Sequence, residues 1–192
     1  MTNDRQQDTI TGYIKKSIRS LELLEIIQIE ILAEAISKAR DNHQTVFLAG
    51  NGGSASTASH FATDLGVGSL KFGKSVKALS LNDNNAVITA VSNDLSFESV
   101  FGQQLGVLGE RGDILILFSA SGNSPNLIEA ASRAEKLGIK VFSVTGFDGG
   151  NLKLMTENTN IHVTSKTGEY GLVEDIHLAI CHMVTECIRI EY

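Results

Sequence analysis

Residues 45–66 constrain the fold more tightly than any other stretch. Val46, Phe47, Leu48 and Ala49 form an uninterrupted apolar run, the pattern of a strand buried on both faces. Gly50-Asn51-Gly52-Gly53 then offers a turn nearly free of Cβ atoms, so backbone can approach a ligand closely. Ser54 is placed to cap the helix that follows, which would leave free N–H groups and a positive dipole end at the turn. Strand, glycine turn and capped helix together make a cradle for an anion, most often phosphate. His60 and Asp64 lie four residues apart in the same helix and so share a face. The first functional expectation is therefore an anion site beside two groups suited to metal binding or acid–base work.

The rest of the chain repeats the alternation. Val76 to Leu81 reads as a second strand, ending in Asn82-Asp83-Asn84-Asn85. Ala86 to Val91 and Phe97 to Leu108 read as helices separated by residues 92–96. Asp113 to Phe118 is a third buried strand, leading into Ser119-Ala120-Ser121-Gly122-Asn123-Ser124-Pro125. Ser124 at an N-cap with Pro125 at the first helical position starts a helix to about Leu137. Lys140 to Thr145 is a fourth strand, Asn160 to Val163 a fifth, and Glu169 to Ile190 a long last helix. Strands alternating with helices predict an α/β fold, a three-layer doubly wound parallel sheet with helices on both faces.

Ahead of this lie helices. Ile10, Ile14, Ile18 and Leu21 recur at helical spacing. From Leu23 to Ile36 apolar residues occupy nearly every face, so that segment must be covered on more than one side. Cover by another subunit and burial in the monomer's own core both satisfy the pattern. No linker, repeat or low-complexity tract breaks the chain, so a single domain is expected, with residues 1–42 a helical extension for oligomerisation and residues 43–192 the α/β core.

Charge and composition narrow the partners. A net charge of −6 argues against nucleic acid bound by bulk electrostatics, though not against a small anion held by backbone dipoles. No apolar run approaches the ~18 residues of a membrane span, and the polar start is unlike a signal peptide. Cys181 and Cys187 lie six residues apart in the last helix, too far along its axis to pair. Free thiols point to a reducing, cytoplasmic setting.

The second loop narrows the ligand. In a parallel sheet the loops after the strand carboxyl ends gather at one edge. Gly50–Ser54 and Ser119–Ser124 would meet there, one glycine-rich and one serine-rich, each feeding a helix. Hydroxyls and helix N-terminal amides suit a phosphate monoester. Gly50-x-Gly52-x-x-Ala55 formally matches a dinucleotide fingerprint, but no acid stands about twenty residues on at a strand end. After Gly50 the positions where a P-loop needs Gly-Lys-Ser/Thr hold Ala55-Ser56-Thr57, so this loop is not a P-loop. No nucleotide cofactor is expected.

These residues, Gly50-Asn51-Gly52-Gly53-Ser54 with Ser119-Ala120-Ser121-Gly122-Asn123-Ser124, strongly resemble the sugar isomerase (SIS) family of phosphosugar-binding domains. The resemblance spans essentially the whole chain. Within the family it looks like the phosphoheptose isomerases, which convert sedoheptulose 7-phosphate to the heptose aldose phosphate for lipopolysaccharide and other surface-polysaccharide synthesis. The resemblance implies a five-stranded parallel sheet of flavodoxin-like order, a homotetramer and active sites shared between subunits. It places phosphate contacts on Ser54, Ser119, Ser121 and Ser124, with Asn51, Gly52 and Gly53 shaping the cradle, and puts Asp94 near the sugar. It implies a zinc site on His60, Asp64, Glu174 and His182, with Asp64 as base and His182 as partner acid. Glu174 and His182, eight apart on the last helix, stay on neighbouring faces. Read without the family, a lone histidine such as His60, His177 or His182 on a half-apolar helix is a hydrogen-bonded structural residue.

The chain departs from the family pattern at the sugar end. Asp64 stands where the isomerases usually have glutamate, Glu174 replaces glutamine, Gly68 replaces an arginine and Ala120 a threonine. A rival reading from the same family is a non-catalytic phosphosugar-binding adaptor of the replication-initiator-associating type, a branch that lacks the metal-site residues. An isomerase for another sugar phosphate fits the same loops.

Overall fold

A computed structural model describes residues 2–190 of the chain. The chain opens with two helices, α1 (Thr2–Glu22) and α2 (Ile26–Asp41), and then alternates: β1 (Thr45–Gly50), α3 (Gly53–Leu65), β2 (Lys77–Ser80), α4 (Asn85–Asp94), α5 (Val100–Leu108), β3 (Ile114–Ser119), α6 (Pro125–Leu137), β4 (Lys140–Thr145), α7 (Gly150–Met155), β5 (Asn160–His162) and α8 (Tyr170–Ile190). Short 3-10 turns fill Val67–Phe72 and Phe97–Ser99. All strand pairs are parallel, in the order β2-β1-β3-β4-β5, the flavodoxin-like order expected.

The apolar runs are buried end to end because helices cover both faces. Val46, Leu48, Ile114, Ile116, Phe118, Phe142 and Val144 face a core closed by α2, α3 and α8. The alternate residues Phe47, Ala49, Leu115, Leu117 and Val141 pack against α5, α6 and α7. The period-two alternation of strand side chains thus splits one apolar sequence run between two cores.

The N-terminal reading needs correction in one respect. The apolar stretch Leu23–Ile36 is not one helix: α1 ends at Glu22 and α2 begins at Ile26. Of its apolar residues, Ile29, Leu32 and Ile36 are buried in the chain's own core, whereas Leu23, Ile26 and Ile27 are exposed. Ile10, Ile14 and Ile18 form an exposed stripe on α1, whose other side meets the start of α8 through Tyr13–Asp175 (2.5 Å) and Lys16–Glu169 (2.6 Å). Residues 92–94, read as loop, complete α4, and α7 occupies a stretch between the fourth and fifth strands to which the sequence pattern assigns no element.

Candidate functional site

The order β2-β1-β3 means that the chain leaves β1 toward one side of the sheet and returns to the other, opening a crevice at the carboxyl ends of β1 and β3. The two loops singled out in the sequence both lie there. Gly50 is pressed against the Ser54 backbone, and an added Cβ would come within 2.5 Å of the Ser54 carbonyl oxygen. Gly52 takes φ 57, ψ −125, a conformation only glycine adopts readily.

That geometry moves the helix start. Gly52, not Ser54, is the N-cap of α3, and Ser54 lies in the first turn with its N–H bonded to the Asn51 carbonyl at 3.0 Å. The expected capping role of Ser54 is therefore wrong. Its hydroxyl makes no hydrogen bond among the described residues and lines the cavity instead.

The serine loop is braced from within and below. Ser119 Oγ accepts from Gly122 N–H (3.0 Å) and Ser121 Oγ from Asn123 N–H (3.3 Å). Gly122, at φ 64, lies against the Gly149 carbonyl, and the Gly146 and Leu152 amides donate to the Ala120 and Gly122 carbonyls. Ser124 is the N-cap of α6 ahead of Pro125, as the sequence predicts, but its side chain makes no capping bond. Both this hydroxyl and that of Ser54 are thus free to serve a ligand.

Two asparagines hold the loops in register. Asn51 and Asn126 exchange reciprocal side-chain amide bonds, both 2.9 Å, tying the glycine loop to the first turn of α6. Asn82 likewise grips Gly50, accepting from its N–H (3.1 Å) and donating to its carbonyl (2.8 Å). Neither Asn126 nor Asn82 stood out in the sequence, since each acts through a partner far along the chain. Between the loops is a cavity of about 170 Å³ lined by Asn51, Ser54, Ser119, Ser121, Ser124, Tyr170 and Glu174 over Phe118 and Ala120.

A second cluster lies further along α3. His60 Nε2 is 2.9 Å from His182 Nε2 and 3.2 Å from Asp64 Oδ2, and His182 Nε2 is 3.8 Å from the same oxygen. His182 comes from α8 of the same chain. Three ligand atoms at ~2.1 Å from a tetrahedral zinc would be about 3.4 Å apart, and the observed spacings bracket that value. The two imidazoles and one carboxylate therefore fit a zinc-like ion. Asp64 Oδ2 faces the rings while Oδ1 turns toward Gly68, so its two oxygens point to different surroundings.

The remaining site residues fall elsewhere. Glu174 is outside this cluster: its carboxyl group lies where a Cβ on Gly53 would be. Angle alone misled here. Eight residues of helix also rise about 12 Å, so Glu174 meets the start of α3 while His182 meets His60. Asp94 is exposed at the end of α4, in neither group. Arg189, unremarked in the sequence, covers Gly68, with Nη2 donating to its carbonyl at 3.1 Å and Nε toward Ser69 Oγ at 3.4 Å. His177 is fully buried against Phe118 (ring centroids 5.9 Å apart), and its ring nitrogens have no hydrogen-bond partner among the described residues. Burial pushes its pKa down to about 3, against an upward pull from the nearby Thr145 backbone. It is a neutral core residue. Cys181 and Cys187 are both free.

Comparison with known proteins agrees with this geometry. A profile of the SIS domain matches residues 11–146. The phosphoheptose isomerase of Helicobacter pylori (strain Shi470) is 35% identical over 177 residues, covering 92% of this chain and 88% of that protein. Among solved structures, phosphoheptose isomerase GmhA from Neisseria gonorrhoeae superposes with a TM-score of 0.85 at 28% identity, covering 98% of both chains. A phosphoheptose isomerase from Francisella tularensis superposes with a TM-score of 0.86 at 28% identity over 100% of both.

Proposed function

The chain belongs to the SIS domain family and, within it, to the phosphoheptose isomerases, and on that premise we propose that it interconverts sedoheptulose 7-phosphate and D-glycero-D-manno-heptose 7-phosphate. It is an aldose–ketose isomerase. The observation that carries the substrate reading is the meeting of two helix N-termini and two unengaged serine hydroxyls, Ser54 and Ser124, in one small cavity. Backbone dipoles and hydroxyl donors converging there suit a phosphate monoester.

Seven residues of α3 separate Gly53 from His60, about 10 Å at 1.5 Å per residue. A phosphate in the cradle would leave the far end of an extended sugar near the His60–Asp64–His182 cluster. There Asp64 takes the proton from C1 of the ketose while His182 protonates the oxygen on C2, giving an enediol. Returning a proton to C2 as the O1 proton leaves completes the aldose, with no net gain or loss of atoms. His60, Asp64 Oδ2 and His182 would hold a divalent ion, zinc by the donor set, which would polarise the carbonyl in place of the His182 proton and leave Asp64 Oδ1 as the base. The intact cluster favours an enzyme over a non-catalytic adaptor.

The assembly belongs to the same proposal. The exposed stripe Ile10-Ile14-Ile18 and the exposed pair Ile26-Ile27 give the N-terminal helices an apolar surface fit for subunit contact in a homotetramer. No described helix is long and apolar enough to cross a membrane, in keeping with a cytoplasmic sugar-phosphate enzyme that acts in surface-polysaccharide synthesis.

The cradle is tested by Ser54→Ala and Ser124→Ala. Each removes a hydroxyl donor to a charged acceptor, about 1.5–3 kcal/mol, so sugar-phosphate affinity should fall more than about tenfold with the thermal midpoint nearly unchanged. Unaltered affinity in both variants would remove phosphate from this cavity.

A further inference from the structure

Among the described residues the cavity assigned to phosphate has no lysine, arginine or histidine in its lining, and its one charged residue carries the same sign as the ligand. That residue is Glu174. Its carboxyl group packs on Gly53, in the first turn of α3, where a Cβ would overlap it. It is half-buried and makes no hydrogen bond or ion pair among the described residues. The acids beside it are engaged otherwise, Asp175 by the Tyr13 hydroxyl and Glu169 by Lys16. The positive end of the α3 dipole thus already faces an anion that belongs to the protein.

We propose that Glu174 makes the cradle selective: its carboxylate stands in for the ligand's anion when the cradle is empty, disfavours bare phosphate, and admits phosphate on a ligand whose hydroxyl groups donate to it. The inference rests on the phosphosugar reading. A carboxylate only accepts hydrogen bonds. Beside a phosphate in a small cavity it is therefore repelled unless donors lie between the two anions. A polyhydroxylated chain next to the phosphate supplies such donors, and inorganic phosphate held wholly by the loops does not. The glutamate thus converts a general anion cradle into one that reads the polyol attached to the anion.

The test compares wild type, Glu174→Gln and Glu174→Ala as full chains, by equilibrium dialysis against inorganic phosphate and against sedoheptulose 7-phosphate at one pH and ionic strength. Inorganic phosphate should bind both variants at least about tenfold more tightly than wild type, about 1.4 kcal/mol. Sugar phosphate should gain less, so the preference for it over inorganic phosphate narrows. Because the two replacements differ in size, a fold defect in one leaves the other to be read. Inorganic phosphate bound no more tightly by either variant, with sugar phosphate still bound by wild type, overturns the role of Glu174 alone. Failure of all three proteins to bind either ligand overturns the phosphosugar reading and this inference with it.

Discussion

Asn126→Ala probes the link between the two loops. Asn126 is 2% exposed and shares two amide bonds of 2.9 Å with Asn51. Neutral hydrogen bonds contribute about 0.5–1.5 kcal/mol each, so losing both should cost about 2 kcal/mol. Asn51 is half-buried and regains water, which keeps the penalty from rising further. For a chain of this size each kcal/mol moves the midpoint ~2–4 °C, predicting a fall of ~4–8 °C by calorimetry. The same substitution frees the glycine loop to drift from the serine loop, so sugar-phosphate affinity should fall about tenfold or more. An Asn51→Ala, Asn126→Ala cycle isolates the pair, and the double variant should be scarcely less stable than either single one. Additive losses, or an Asn126→Ala variant with unchanged midpoint and affinity, would refute the idea that this pair sets the cradle.

Two further outcomes follow from the same geometry. His177 is neutral when folded, with a pKa of about 3 against 6.5 when exposed; its penalty is absent above pH 6.5 and grows as pH falls toward 3, costing on the order of 1 kcal/mol per pH unit. Replacing it with leucine should flatten the acid limb of a stability-versus-pH curve measured by denaturant titration, and an unchanged limb would assign that sensitivity to other groups. Ile27→Glu places a charge on the exposed apolar surface of α2 and should shift a tetramer to smaller species by light scattering; a wild-type protein already monomeric at micromolar concentration would contradict the assembly.

Much of this was legible in the chain itself, for identifiable reasons. The strands at 46–49, 114–118 and 141–145 announce themselves because burial on both faces demands unbroken apolar runs. His60 and Asp64 could be paired because four residues bring helical neighbours together. What escaped depended on tertiary facts. Nothing between Leu23 and Glu25 breaks a helix, and the turn there follows from α2 folding onto the core. The cap at Gly52 depends on a positive φ that Asn51-Gly52-Gly53 permits without requiring. Helical angle brought Glu174 to the side of His182, but axial rise carried it to the cradle. Asn82, Asn126 and Arg189 matter through partners 32, 75 and 121 residues away, beyond any local pattern.

The central claim is proton transfer on a phosphosugar by Asp64, and it is tested most directly by NMR of sedoheptulose 7-phosphate incubated with the protein in deuterium oxide. Wild type should convert the ketose to the C1 aldose and place deuterium at C2, because the proton taken by Asp64 exchanges with solvent before it returns. Asp64→Asn should bind the sugar phosphate yet give neither aldose nor deuterium. An unchanged spectrum with wild type, the ligand bound but neither isomerised nor exchanged, would contradict the account.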